Sequence, residues 1–419
     1  MRIEKKTFES LKIRNYRLYF IGQSISLPGT WMQTVAQSWL VLKLTGSGTA
    51  LGLVLALQYL PMLILGPWGG LLVDRFPKRK LLFFTQSAYG IFALILGILV
   101  LIGTVQLWMI YIFAFCLGLI NTVDNPTRQT FAVEMVSKDK LHNAIVLNSI
   151  EINLARVVGP ALAGILILSV GIGFCFILNA ISFIGVIISL SMMHSKELFP
   201  SPLVKKKKGQ VIEGLKYVKN SPVIKDTIIM MAIIGTLTYE FSVSLPLLTQ
   251  STFHGDAGTF TLLTSSIGIG AVIGGLFIAS RKKTGSVTIV TGAFFLGLFV
   301  LGASMAQNIL MAILLLIGVG FFSIYFNSSG NTTIQLESSP SMRGRVMALW
   351  AVASLGSTPI GSPIIGWVGE HMGARYCVAL GGVAAIVAAL FGAIQLKRGK
   401  YLEVQEKEIE ETDISVPKI

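Results

Sequence analysis

Charge is what this sequence is shortest of. Asp, Glu, Lys and Arg make up 13% of its 419 residues, about half the share usual in a soluble domain. Acidic residues number only 20, against 43 glycines. Cysteine is nearly absent: Cys116, Cys175 and Cys377 each sit inside an apolar run, which suits packing and argues against a disulfide or metal framework. The four histidines, at 142, 194, 254 and 371, show no ligand spacing, so neither a metal nor a cofactor is expected. No G-x-x-x-x-G-K-[ST] loop occurs, which leaves ATP-driven work without a sequence signal. No enzymatic activity is expected of such a chain.

What it does hold is apolar: 53% of the residues are hydrophobic. No soluble fold hides that much apolar surface, so the solvent for most of the chain is expected to be lipid. A spanning helix needs roughly 20 apolar residues. Twelve such runs occur, at about 17–42, 48–72, 81–102, 107–125, 142–168, 173–194, 223–249, 257–280, 286–306, 308–330, 346–368 and 376–396. The expected fold class is an all-α membrane protein with twelve transmembrane helices. The first run is too long for a cleaved signal core and eleven more follow it, so no signal peptide is expected.

A net charge of +14 would suit a nucleic-acid partner, but its placement argues for a membrane. With the amino terminus inside, 31 of the 34 Lys and Arg fall in inner segments, and only Lys43 and Arg375 lie in outer loops; Arg156 lies within a span. By the positive-inside rule both termini are expected to be cytoplasmic, and no nucleic acid is needed to explain the charge. Four segments follow: an N-terminal six-helix half, 1–194; a cytoplasmic linker, 195–222; a C-terminal six-helix half, 223–396; and a tail, 397–419. The linker carries Pro200, Pro202 and the run Lys205 to Lys208. Val211, Leu215 and Val218 then recur at i, i+4, i+7, which predicts a short helix on the inner membrane surface. The tail is acidic, polar and aperiodic, and is expected to be disordered.

The halves repeat. Gly69-Gly70-Leu71-Leu72-Val73 returns as Gly274-Gly275-Leu276-Phe277-Ile278, Asn125 and Gln129 as Asn331 and Gln335, and Gly159-Pro160 with Gly164 as Ser362-Pro363 with Gly366. The offset is 202 to 206 throughout. Six-helix halves related in parallel, with a midplane cavity between them, describe an alternating-access transporter.

Ionisable residues within spans are costly and point to function. Arg156, about 20 Å deep at 1.5 Å per residue, needs an acceptor: Glu151, Asp124 or an acid on an anionic substrate. Glu240 lies in the outer half of the seventh run, where desolvation disfavours its charged form and would suit proton loading and release. Glu151 and Asp124 are the other candidates for proton coupling.

The run Gly70-Leu71-Leu72-Val73-Asp74-Arg75-Phe76-Pro77-Lys78-Arg79 resembles the signature loop of the major facilitator superfamily, with Pro77 in place of the usual glycine. Asn125-Pro126-Thr127-Arg128-Gln129, Asn153-Leu154-Ala155-Arg156-Val157-Val158-Gly159-Pro160 and Arg343-Gly344-Arg345-Val346 are similar to bacterial exporters related to the enterobactin and macrolide-efflux pumps. The resemblance spans about Ile13 to Leu396. It implies a conformational gate of Gly70, Asp74, Arg75, Arg79 and Arg345, in which Asp74 meets the positive amino end of helix 11 when the inner side is closed. It also implies an antiporter-type packing motif, Ala155, Gly159, Pro160 and Gly164, through which helix 5 meets the small face of helix 8. Helices 1, 4, 7 and 10 would line the cavity, with Gln33, Gln37, Asn121, Tyr239, Phe241, Tyr325 and Asn327 as substrate contacts.

The function so implied is a proton-coupled exporter of a small organic compound such as a drug or siderophore, working as a monomer in the bacterial inner membrane. Its partners are then a small-molecule substrate, the proton and the lipid bilayer. An uptake symporter and a non-transporting membrane sensor or scaffold are the rivals.

Overall fold

In hydrocarbon every backbone N–H and C=O must be satisfied within the chain, and this chain satisfies them with helices. The computed structural model describes residues 9–137, 140–199, 210–279, 285–339 and 342–414, with the side chains at 67–71, 74, 142, 210–211 and beyond 398 excepted. No strand occurs among the described residues. The first half comprises α1 (Arg14–Thr45), α2 (Gly48–Arg75), α3 (Lys78–Leu101), α4 (Leu107–Met135), α5 (Leu141–Ser169) and α6 (Ile172–Ser191). A short α7 (Gln210–Lys219) leads into the second half: α8 (Pro222–Leu237), α9 (Phe241–Leu247), α10 (Ala257–Ala279), α11 (Ser286–Ser304), α12 (Ile309–Glu337), α13 (Arg343–Ser354), α14 (Thr358–His371) and α15 (Ala374–Ile414). The seventh predicted run is thus two helices, α8 and α9, and the eleventh is α13 and α14.

Eleven of the twelve runs are long and apolar enough to cross a membrane. The first is not among them. It forms a 32-residue helix, but Gln23, Ser26, Gln33, Gln37 and Ser38 are buried along it, so its polar groups face protein rather than lipid. Helices also outrun the apolar stretches. α4 reaches Met135 and α12 reaches Glu337, because polar side chains at these ends find partners on their own helix. Gln129 donates to Asn125 Oδ1 at 2.8 Å, and Gln335 donates to Asn331 Oδ1 at 2.5 Å. The sequence repeat is therefore a repeat of contacts.

One end of the bundle, the terminal face, carries Ser10, His194 and α7. The opposite, far face carries tight turns. At the first of them Gly46 closes α1 with φ 65°, its N–H donating to Leu42 O, and Ser47 caps α2 by accepting from Ala50 N; the left-handed φ there favours glycine. α2 packs along α14, and α5 along α10, two pairings that exchange under the internal repeat.

One expectation needs correction, and the short helix predicted in the linker is present as α7. The tail does not lose its structure at Lys397: α15 continues to Ile414, through Leu, Glu, Gln and Lys residues that favour helix. In α7 the buried side is Gly214 and Val218, whereas Leu215 and Ile212 are exposed. The Val211 side chain lies outside the described residues, as does the Lys205 to Lys208 run.

Candidate functional site: a polar centre between two broken helices

The break between α8 and α9 leaves Tyr239 and Glu240 outside regular helix, and Glu240 takes φ −83°, ψ 38°. Next to it the α13–α14 break ends at Thr358, the first residue of α14. Glu240 is 4% exposed and lies beside the Thr358 side chain. Its Oε1 is buried with no hydrogen-bond partner. A buried carboxylate oxygen without a hydrogen-bond partner is expensive.

The other half contributes Arg156. Its guanidinium carbon stands 5.2 Å from the centroid of the Trp31 ring, within cation–π range. Its Nε is shielded and unpartnered, and it forms no ion pair among the described residues. Both Tyr59 on α2 and Tyr239 lie within electrostatic reach of it, and Tyr59 also senses Glu240. The Tyr239 hydroxyl donates to Ser323 O at 3.2 Å and lies beside Asn327. Arg156, Tyr239, Glu240 and Asn327, chosen from sequence, do converge, while Trp31, Tyr59 and Thr358 were missed. Gly356-Ser357-Thr358-Pro359, a helix-start pattern in mid-span, was the available signal for Thr358.

The acceptors expected for Arg156 are engaged elsewhere. Asp124 accepts from Thr85 at 2.6 Å, Gln86 at 2.8 Å and Arg128 Nε at 2.6 Å, and Arg128 reaches Gln23 at 2.7 Å. That network ties α1, α3 and α4 together. Glu151 accepts from Ser24 at 2.7 Å, toward α1. Among the expected cavity residues, Gln33 accepts from Asn179 of α6 at 2.6 Å, and Gln37 donates to Gln58 of α2 at 3.4 Å. Tyr325 packs in a ring cluster with Phe277, Phe321 and Phe322. Asn121 and Phe241 are half-buried, with Phe241 opening α9 beside the break.

The packing motif divides between neighbours. A side chain at Gly164 would strike Thr261 of α10, as expected, but one at Gly159 would strike Trp31 and Pro28 of α1. Gly268 faces Arg156 and Val157 of α5, whereas Gly270 and Gly274 face α12. Ala155 is buried, and Pro160 sits inside a continuous α5. A tight seam between the halves lies at the far face. Gly48 and Gly52 meet Gly366 and Ser362 backbone to backbone, Ser362 Oγ donates to Gly52 O at 2.9 Å, and Glu370 Oε2 accepts from Ser47 Oγ at 2.7 Å and Thr49 N at 2.9 Å.

Among the described residues, the polar contacts at the terminal face stay within a half. Arg345 donates to Glu213 of α7 at 2.7 Å. Arg79 donates to Leu190 O at 2.8 Å and Ser191 O at 3.0 Å, closing the end of α6. Lys78 pairs with Glu134, and Arg75 is exposed. The Gly70 and Asp74 side-chain positions lie outside the described residues.

The profile of a family described as transmembrane secretion effector, MFS_3, matches residues 5–416. Among curated proteins, the staphyloferrin A transporter of Staphylococcus aureus is 25% identical, covering 88% of this chain and 93% of its own. The enterobactin exporter of Citrobacter koseri is 23% identical, covering 90% of each. Among solved structures, a bacterial homologue of the iron transporter ferroportin in an inward-facing state superposes with a TM-score of 0.70 at 14% identity, over 91% of this chain and 98% of that one. A peptide-bound POT family transporter does so at 0.74 and 11%, over 92% and 96%; these two likenesses concern the fold.

Proposed function

This chain belongs to the transmembrane secretion effector family of the major facilitator superfamily, and we propose on that footing that it is a proton-coupled exporter of a small siderophore-like or drug-like organic compound. The observation that carries the coupling is Glu240: a buried carboxyl, unsatisfied at Oε1, set in a helix break where the two halves meet. A group so placed takes a proton when shielded and releases it when water reaches it.

Export rather than uptake is supported by the named activity of the enterobactin exporters. The Lys and Arg of the terminal face support a cytoplasmic orientation for it in a bacterial inner membrane. The far-face seam then makes this conformer closed to the outside. Opening to the outside requires breaking the bonds at Glu370 and Ser362. One chain supplies both walls of the site, so a monomer suffices.

The test is efflux from cells expressing the chain, with and without an uncoupler, over a panel of siderophores and antibiotics. Uncoupler-sensitive export of at least one compound is expected. Export of none, or export indifferent to the uncoupler, would overturn the reading.

A further inference from the structure

Arg156 is half-buried with its Nε shielded, and it has no counter-ion among the described residues. Taking a guanidinium out of water costs several kcal/mol unless an anion and hydrogen bonds offset it, and intramembrane cations in folded proteins normally sit with one. Arg156 has neither. The acids that the sequence offered as its partners are committed elsewhere: Asp124 to Arg128, Thr85 and Gln86, and Glu151 to Ser24. Glu240 is not in ion-pair contact with it. What surrounds Arg156 is instead receptor-like. Trp31 lies against the guanidinium, two phenols from opposite halves, Tyr59 and Tyr239, stand within electrostatic range, and Asn327 lies beside the second. The packing of Gly268 on the Arg156 carbonyl and of Gly159 on Trp31 fixes the backbone from which the side chain projects, so the charge cannot retreat with its helix.

We propose that Arg156 is the anchor for an oxyanion of the transported solute, a carboxylate or an equally acidic oxygen group, with the Tyr59 hydroxyl as a donor, the Tyr239 hydroxyl as a second on turning from Ser323 O, and the Trp31 face as the wall for an adjoining flat or apolar moiety. This rests on the transporter reading and narrows its substrate class to organic anions. The anion supplies the missing counter-charge. Because Tyr59 comes from one half and Tyr239 from the other, both halves grip the same group.

The experiment uses the full chain in phosphatidylcholine nanodiscs, which hold no anionic headgroup. Thermal protection is measured with matched probes: benzoate against benzamide, salicylate against salicylamide, and citrate against trimethyl citrate. At least one anion is expected to protect the wild type well beyond its neutral partner. Arg156→Gln should weaken that binding by about 10- to 100-fold, the worth of a hydrogen bond to a charged group. Arg156→Lys should recover part of it. Equal protection by each anion and its neutral partner, or undiminished anion binding by Arg156→Gln, overturns the proposal. Unliganded melting of each variant is recorded alongside; if Arg156→Gln does not fold, Tyr59→Phe and Tyr239→Phe are used in its place, and unchanged anion binding by both overturns it equally. Failure of the transporter reading shows differently, as absence of any efflux in cells. Efflux of neutral compounds unaffected by Arg156→Gln would leave that reading intact and reject the anchor alone.

Discussion

Glu240 and Asp124 are both buried acids in spans, and their surroundings differ. Asp124 accepts three side-chain hydrogen bonds, one from Arg128, and so behaves as a fixed strut among α1, α3 and α4. Asp124→Ala removes the only acid paired with Arg128 among the described residues; breaking such a pair costs roughly 3–5 kcal/mol, and a drop in the thermal unfolding midpoint of purified protein is the expected result. Glu240 has a free oxygen and a break in its helix. Glu240→Gln keeps size and hydrogen-bonding capacity but cannot ionise, so gradient-driven efflux should collapse while anion binding and passive exchange persist; Glu151→Gln is the matched comparison. The buried acids and Arg156 were visible in the sequence because charge stands out against an apolar background. Which of them were satisfied was not, since pairing depends on neighbours tens to hundreds of residues away. Gln33 and Tyr325 show the same limit: a polar side chain in a span looks alike whether it faces a cavity or, like Gln33, bonds to another helix.

At the scale of the element, small residues decide which helices touch. Gly164→Leu should force α5 from α10 at Thr261, and Gly159→Leu should force α5 from α1 at Trp31, each overpacking by about 1–3 kcal/mol. Cysteine crosslinking between α5 and α10 should be lost in the first variant and kept in the second. The sequence motif shows a run of small residues but not how it is shared around the helix, so Gly159 was assigned to the wrong neighbour. The seam at Glu370 makes a further prediction. Glu370→Ala removes two hydrogen bonds, worth roughly 0.5–1.5 kcal/mol each, from the far-face closure. In a cysteine-free background with Cys at position 58, beneath the seam, labelling by an impermeant maleimide from outside should quicken about tenfold, as ~1.4 kcal/mol implies. Outside the membrane, Asp256 accepts from Thr259 N at 2.9 Å and caps α10. The backbone N–H of Thr259 holds its carboxyl below the usual aspartate range. The cap is therefore fully present above the ordinary value of about 3.9 and is lost as pH falls through the lowered one. Asp256→Ala should cost about 1 kcal/mol at neutral pH, measured by thermal melting.

The whole molecule is two related halves, and this level was the most legible. Twelve apolar runs, the Lys and Arg asymmetry and an offset of 202 to 206 residues are properties of the chain as a line of letters; the duplicated Asn–Gln bonds on α4 and α12 give that offset a physical form. The α8–α9 break was not legible, because Thr238–Glu240 lies inside a run whose hydropathy reads through it, and the α13–α14 break showed only as the helix-start pattern Gly356-Ser357-Thr358-Pro359. Yet the breaks bring Glu240 to Thr358 and within reach of Tyr59, and on that arrangement the account of coupling depends. The most direct measurement is solute uptake into inside-out vesicles carrying the wild type or Glu240→Gln, with the vesicle interior made acidic. The account predicts that acid inside drives the wild type to accumulate solute above its external concentration, whereas Glu240→Gln only equilibrates it. Accumulation by Glu240→Gln at the wild-type level, or by the wild type without a proton gradient, would contradict it.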